Sequence, residues 1–236
     1  MSCDLKIRQY ENLKMNIEQN LTRIKSNLPK NVTLVAVSKT KPVADLMEAY
    51  EAGQRIFGEN KVQEMTEKWE QMPKDIEWHM IGHVQTNKVK YMIPYVKLIH
   101  GVDSLKLLKE INRLAKRWRK TVDCLLQIHI AEEETKFGLD EKELEEVLKQ
   151  INIDGSEFEN IRIVGLMGMA TFTDNQEQIK REFLHLKSIF ENLLNQPTTQ
   201  NLQPTTLSMG MSGDYQLAID CGSNMVRIGS SIFGTR

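Results

Sequence analysis

The segment that decides the fold reads Val32-Thr33-Leu34-Val35-Ala36-Val37-Ser38-Lys39-Thr40-Lys41-Pro42. Its first six residues are β-branched or apolar, which predicts a strand that is buried on both faces. Pro42 suits the first turn of a helix, and Gly53 provides a stop for that helix. A doubly buried strand followed at once by a helix is the repeating unit of a parallel α/β sheet.

This strand–helix unit recurs along the chain. The predicted strands cover residues 32–37, 55–57, 77–81, 96–100, 122–130, 161–167, 205–208 and 225–228. Eight parallel strands with right-handed crossovers can close a barrel whose interior is filled by side chains. A doubly wound open sheet is the alternative, but no G-x-G-x-x-G pattern follows the first strand. We therefore predict a single-domain (β/α)8 TIM barrel over residues 1–236.

An extra helix is predicted before the first strand, within residues 1–30, and is expected to pack on the barrel. Its apolar residues are spaced three and four apart from Tyr10 to Leu28, and Pro29 ends it. Capping signals predict where three later helices begin. The capping residues are Ser104, Asp140 with Glu143, and Asp174 with Glu177.

Composition and charge restrict the partners. Hydrophobic residues make up 40% and charged residues 27%, which is typical of a folded chain. The 31 basic and 32 acidic residues leave a net charge of −1, so no overall field attracts nucleic acid or an anionic membrane. The basic helix at 104–120 is interpreted as the solvated outside of the barrel. No apolar run approaches the roughly 20 residues of a membrane helix, and the polar residues 1–6 lack the charged-then-apolar order of a signal peptide.

Cysteine and histidine usage predicts the compartment and argues against a metal. The three cysteines, Cys3, Cys124 and Cys221, are odd in number and widely spaced, which favours reduced thiols in a cytoplasmic protein. His79 and His83 have the spacing of a helical zinc pair, but along a strand such residues lie about 13 Å apart. We therefore expect no metal site. Because no long apolar stripe is left over, we expect a monomer.

Lys39 is the leading candidate for chemistry. Active sites of such barrels lie at the carboxyl ends of the strands, and Lys39 follows the first strand directly. Desolvation at the barrel mouth and nearby cations would favour its neutral, nucleophilic amine. The alternative is a charged residue that simply begins a solvated loop. Lys41 has no strand end to position it.

The eighth strand neighbours the first in a closed barrel and ends in Arg227-Ile228-Gly229-Ser230. Small residues at this point expose backbone N–H groups, and the loops after strands seven and eight often hold a phosphate. Ser208 adds a hydroxyl from the seventh strand. A carbonyl-seeking lysine beside a phosphate cradle is what pyridoxal 5'-phosphate (PLP) requires, with Arg227 facing the ring nitrogen.

Five motifs carry a resemblance to a known family. They cover residues 35–42, 57–64, 78–88, 207–212 and 222–234. From about Leu34 to Gly234 the chain resembles the PLP homeostasis proteins, which are relatives of the N-terminal barrel of alanine racemase. The resemblance implies a single barrel that carries PLP as an internal aldimine on Lys39, with no turnover of its own. Residues 167–171 and the Gln/Pro/Thr loop at 195–206 depart mildly from the family pattern.

The resemblance also implies a set of cofactor contacts and no catalytic residues. The contacts are Lys39, Asn60, His83, Ser208, Met209, Arg227, Gly229 and Ser230. Met209 is equally compatible with packing. The implied role is buffering or delivery of PLP in the cell, with PLP-dependent apo-enzymes as recipients.

Two enzymatic functions remain as alternatives: a PLP-dependent amino-acid racemase, and an aldolase that uses Lys39 without pyridoxal. An arginine cannot protonate the ring nitrogen, so the ring is a poorer electron sink, although racemases of this fold share that arginine. The sequence ends at Arg236, so we expect no second domain to cover the mouth. We also expect no second base, because Tyr215, the last tyrosine, follows the seventh strand.

Overall fold

The strands form a closed barrel. The computed structural model describes residues 17–133, 137–151, 158–197 and 199–235. Within these ranges eight parallel strands pair in chain order, and the first also pairs with the eighth. The strands are β1 (Thr33–Val37), β2 (Ile56–Glu59), β3 (Glu77–Met80), β4 (Val96–Val102), β5 (Val122–Gln127), β6 (Ile161–Met167), β7 (Leu202–Met211) and β8 (Met225–Ile228). The predicted (β/α)8 barrel is confirmed.

Helices connect the strands on the outside of the barrel. They are α1 (Ile17–Asn27), α2 (Val43–Glu51), α3 (Val62–Gln71), α4 (Val89–Met92), α5 (Leu105–Arg117), α6 (Glu141–Ile151), α7 (Gln176–Leu194), α8 (Tyr215–Asp220) and α9 (Ser230–Phe233). The helix α1 is the predicted extra helix, and it packs on α2 and α9. The Asn20 side chain fixes this contact by donating to the carbonyl of Ile232 at 3.1 Å. Tyr10 and Leu13, at the predicted start of this helix, lie outside the described residues. In the described ranges no helix is long and apolar enough to cross a membrane.

Two of the three predicted caps are confirmed. The Ser104 hydroxyl accepts from the Leu107 N–H at 3.3 Å at the start of α5. Asp140 and Glu143 bond reciprocally at the start of α6: each side chain accepts from the other residue's N–H, at 2.8 and 3.0 Å. These bonds satisfy N–H groups that have no partner inside the helix.

The third predicted cap is wrong by one residue. Asn175, not Asp174, caps α7, because the helix begins at residue 176 and the Asn175 side chain is the one that reaches the Gln178 N–H, at 3.2 Å. Strand ends also differ from prediction. The strand β7 was predicted to end at residue 208 and continues to Met211, whereas β5 ends at residue 127 rather than 130.

The barrel interior has an apolar and a polar part. An apolar cluster of inward-facing residues comprises Val35, Ile81, Leu98, Leu125, Met167 and Met225. Leu98 and Met225 lie two positions before His100 and Arg227, so all four side chains point to the same side of the sheet. The interior therefore contains polar groups as well. His79, His100, Ser208 and Arg227 are all buried. The larger hydrophobic core lies between the strands and the surrounding helices.

One position inside the sheet requires glycine. Gly165 of β6 has a φ of +151°, and a Cβ atom there would overlap the carbonyl oxygen of Thr206 on β7. The register of the two strands shifts next to this point, between Ile163 and Gly165. The close approach of β6 and β7 therefore depends on the missing side chain.

Candidate functional site

A cavity of about 770 Å³ opens at the carboxyl ends of the strands. Active sites of (β/α)8 barrels are built at this end. The structure brings six of the eight predicted site residues into the cavity lining: Lys39, Asn60, His83, Arg227, Gly229 and Ser230. They come from the ends of β1, β2, β3 and β8, so residues far apart in sequence converge on one space.

Ser208 and Met209, the other two predicted residues, are not part of the described cavity lining. Because β7 continues to Met211, Ser208 does not stand at a strand end, and it lies fully buried below the cavity. Met209 is fully buried in the hydrophobic core, as the packing interpretation predicts. Neither residue is therefore in the cavity lining of the described structure, and the direct contact predicted for each with the cofactor stays a prediction.

Lys39 and Lys41 both line the cavity, but Lys41 is engaged elsewhere. The Lys41 ammonium donates to the carbonyls of Phe233 at 2.9 Å and Thr235 at 3.3 Å, so it holds the C-terminal turn against the first loop. Lys39 is half-buried and lies two residues after Val37, where β1 ends. This placement favours Lys39 as the reactive amine.

Arg227 provides a fixed positive charge at the floor of the cavity. Its guanidinium donates to the carbonyl and hydroxyl of Ser208, at 2.9 and 2.6 Å, and to the carbonyl of Gly168 at 3.0 Å. Burial lowers the pKa of Arg227 to about 10, so the side chain remains a cation at neutral pH. Its orientation is set by three acceptors and does not depend on a ligand.

A hydrogen-bonded column continues from Arg227 down through the barrel. The Ser208 hydroxyl lies 3.2 Å from His100 Nδ1, and His100 Nε2 lies 3.1 Å from His79 Nδ1. Because Arg227 can only donate, the Ser208 hydroxyl accepts from it and donates its own O–H to His100 Nδ1. His100 then carries its proton on Nε2 and donates to His79. This order assigns one neutral tautomer to each histidine.

Burial keeps both histidines uncharged. It lowers the pKa of His79 to about 3, and it lowers that of His100 well below its usual value, with smaller contributions from His79 and Arg227. In the unfolded chain both pKa values return to about 6.5. Between the two values the unfolded state binds protons that the folded state does not, so the free energy of unfolding falls as the pH is lowered.

We therefore expect lowering the pH from about 7.5 to about 5 to reduce the free energy of unfolding by about 2 kcal/mol for each of the two histidines. Denaturant titrations at both pH values measure this difference. The variant His79→Gln should lose its share of the pH dependence, whereas His185→Gln, at an exposed position, should retain all of it. An equal pH dependence in His79→Gln and the unmodified chain would contradict the neutral column.

Some residues of the site were not predicted from the sequence. The Asp103 carboxylate accepts from His83 Nδ1 at 2.7 Å, and the His83 ring stacks on Phe137 at 4.3 Å. Gln127 lines the cavity floor and donates to the Phe137 carbonyl at 2.7 Å. Misplaced strand ends concealed both polar residues, because β4 extends to Val102 and β5 ends at Gln127. Thr135 and Lys136, which the sequence places after the fifth strand, lie outside the described residues.

The loops after β7 and β8 meet at the side of the cavity near β1. The Gly229 N–H donates to the Ser212 hydroxyl at 3.1 Å. A Cβ atom at Gly229 would lie 3.0 Å from the carbonyl oxygen of Val37, so the glycine allows β8 to approach β1 closely. Ser230 begins α9, and the first N–H groups of a helix have no partner within it. This corner suits an anionic group.

The described residues contain no cluster of three or more His, Cys, Asp or Glu side chains placed to hold a metal ion. The closed barrel, with lysine and arginine in its cavity lining, defines a class of protein, and a comparison with known families finds the same class. The family described as "Alanine racemase, N-terminal domain" matches residues 14–236.

Curated relatives identify a more specific family within this class. The pyridoxal phosphate homeostasis protein of Pasteurella multocida is 39% identical over 235 residues, which cover 94% of this chain and 98% of the relative. The protein of the same name from Schizosaccharomyces pombe is 40% identical over 210 residues, covering 88% and 85% of the two chains. The chain belongs to the pyridoxal phosphate homeostasis protein family.

Solved structures agree with this assignment. PipY of Synechococcus elongatus, solved with PLP bound, superposes with a TM-score of 0.83 at 34% identity, covering 92% of this chain and all of PipY. An alanine racemase from Clostridium difficile superposes with a TM-score of 0.72 at 15% identity. The match covers 94% of this chain and 57% of the racemase chain. At that identity the racemase shows the shared barrel fold alone.

Proposed function

We propose that this chain binds PLP through the amine of Lys39 and serves to buffer or deliver the cofactor in the cell. The observation that carries the proposal is the convergence of Lys39, the buried cation Arg227 and the Gly229–Ser230 corner on one cavity. Two comparisons support it: PipY is solved with PLP bound, and the curated relatives are named for PLP homeostasis.

The residues of the cavity suit the parts of PLP. Lys39 would supply the amine that forms a C=N bond with the aldehyde carbon, with the aldehyde oxygen leaving as water, and water would reverse the same bond on release. Arg227 would meet the ring nitrogen as a donor that does not give up its proton. Gly229, Ser230 and Ser212 would hold the phosphate through N–H and hydroxyl groups. Asn60 and His83 would border the ring, while Ser208 holds Arg227 in place and Met209 packs in the core.

A racemase-like enzyme is the second candidate, and one observation favours it. PLP, when bound, supplies an electron sink for carbanions at the α-carbon of an amino acid. The His83–Asp103 pair, with His83 in the cavity lining, supplies a second group that can transfer a proton. Against it, the described part of the cavity lining contains no tyrosine.

Deuterium exchange separates the two candidates. We expect the PLP-loaded chain in heavy water to exchange the α-proton of alanine and serine no faster than free PLP does. The same preparation should transfer PLP to a PLP-dependent apo-enzyme and restore its activity. Exchange with racemisation at ordinary turnover, about 1 to 10³ per second, would establish the racemase instead. Absence of an aldimine band beyond the absorbance of free PLP, with no pyridoxyl group fixed on the protein by borohydride, would contradict both and leave the aldolase.

We place this function in a monomeric cytoplasmic protein in which residues 1–236 form one domain. The thiols Cys124 and Cys221 are both buried and free, which suits a reducing compartment. The described residues share a single closed barrel, which supports one domain. Sedimentation of the PLP-loaded chain at several concentrations measures the oligomeric state.

A further inference from the structure

A buried lysine of α3 reaches the loop that carries Lys39. The side chain of Lys68 is 6% exposed, and its ammonium donates to three oxygens at 2.7 Å each. These acceptors are the carbonyl of Ser38 and the Oε1 atoms of Glu59 and Glu64. An ammonium has three N–H donors, so all of them are used and the side chain is fixed.

The same two carboxylates bind both neighbours of Lys39. The Ser38 hydroxyl donates to Glu59 Oε1 at 2.6 Å, and the Thr40 N–H donates to Glu64 Oε1 at 2.5 Å. The chain is therefore held immediately before and immediately after Lys39. We call Glu59, Glu64 and Lys68 together the Lys68 clamp.

The backbone at Thr40 needs such a contact. Thr40 has a φ of +65°, which is unfavourable for a β-branched residue, and within the described ranges Arg119 is the other non-glycine residue with positive φ. Strained conformations of this kind persist only where surrounding contacts impose them. The bond from the Thr40 N–H to Glu64 is one such contact, and the Lys41 N–H, which donates to the Ser38 carbonyl at 3.1 Å, closes the same turn.

None of the clamp residues is among those that line the described cavity, so the clamp acts on a bound molecule through the loop that it holds, which places Lys39 and Thr40 in the lining. We propose that the Lys68 clamp positions the Lys39 amine for covalent attachment of PLP, without contributing to non-covalent retention of the cofactor. The inference rests on the proposed function. Attachment requires the amine to meet the aldehyde carbon at a defined distance and angle, and a displacement of about 1 Å costs up to about 10²-fold in rate.

Two substitutions of Glu64 test the clamp, because its side chain is partly exposed, at 22%, and can be changed without opening the core. In Glu64→Gln the amide oxygen can still accept from both Thr40 and Lys68, although the charge is lost. In Glu64→Ala both bonds are lost. Glu67→Ala, at an exposed position of the same helix, is the matched control.

Rapid mixing of the PLP-free full chain with PLP, followed by visible absorbance, measures the rate of attachment. We expect Glu64→Ala to slow it about tenfold to a hundredfold, and Glu64→Gln and Glu67→Ala to remain within about threefold of the unmodified chain. Pyridoxine 5'-phosphate, which carries an alcohol in place of the aldehyde, should bind all four proteins with affinities within about twofold, because the cavity itself is unchanged.

Attachment at the unmodified rate in Glu64→Ala would overturn the inference. Equal slowing in Glu64→Gln and Glu64→Ala would also overturn it, since charge and not position would then matter. Parallel weakening of pyridoxine 5'-phosphate in Glu64→Ala would show a general distortion of the cavity and count against it as well. If the unmodified chain attached no PLP to Lys39, the proposed function would fail instead.

Discussion

Replacing Lys39 with alanine is expected to lower the affinity for PLP by about a hundredfold, which corresponds to about 2.7 kcal/mol. The variant lacks the amine proposed to form the C=N bond, while Arg227 and the Gly229–Ser230 corner, proposed to hold the ring and phosphate, stay in the cavity lining. Isothermal titration calorimetry with PLP measures the affinity of both proteins, and the aldimine band of the unmodified chain should be absent from the variant. Lys39 is half-buried at the barrel mouth, so the thermal midpoint of the PLP-free variant should stay close to that of the unmodified chain.

Lys41→Ala is the control for this prediction. The Lys41 ammonium bonds the carbonyls of Phe233 and Thr235, so its loss should affect the C-terminal turn more than the cofactor. Borohydride reduction of the unmodified, PLP-loaded chain, followed by peptide mapping, should place the pyridoxyl group on Lys39. Labelling of Lys41 in that experiment, with Lys39 unmodified, would show that the reactive lysine is wrongly assigned.

The largest expected effect on stability comes from Gly165→Ala. An added Cβ would overlap the Thr206 carbonyl, and the φ of +151° is unfavourable for alanine. The two strands would have to separate in the middle of the closed sheet, where no neighbouring loop can absorb the shift. We expect a loss of more than about 4 kcal/mol in the free energy of unfolding, which is at the upper end for single substitutions.

Gly213→Ala provides the comparison, because a Cβ at Gly213 meets no atom within 4 Å. Denaturant unfolding of the two variants should show a large loss for Gly165→Ala and a change within about 0.5 kcal/mol for Gly213→Ala. Similar stabilities for both variants would mean that β6 and β7 can separate at little cost.

The barrel was predictable because its signal is local and repeated. Buried strands such as residues 32–37 and 161–167 alternate with amphipathic helices, and this pattern determines both the class of sheet and the number of strands. Lys39 and Arg227 were found for the same reason, since each lies at or beside the end of an apolar run. The end of β7 was misplaced, because Met209-Gly210-Met211 continues the strand without a sequence signal, and this error put Ser208 at the cavity.

The polar pairings were not predictable, because they depend on contacts across the barrel. His83 meets Asp103 twenty positions later, and Lys68 meets Ser38 thirty positions earlier. Periodicity tells which face of an element a residue occupies, but not which side chain of another element it reaches. The motif at residues 57–64 contained both glutamates of the Lys68 clamp, yet nothing in its spacing pointed to Lys68 as their common partner.

The column of Arg227, Ser208, His100 and His79 affects how protons reach a molecule bound in the cavity. A chain of hydrogen bonds conducts protons only if each member can both receive and release one, and this chain terminates in a guanidinium that releases its proton only in alkaline solution. At neutral pH this column is therefore not a route for protons between the two ends of the barrel. With PLP bound as proposed, a ring nitrogen beside Arg227 would exchange protons with solvent through the mouth and not along the column.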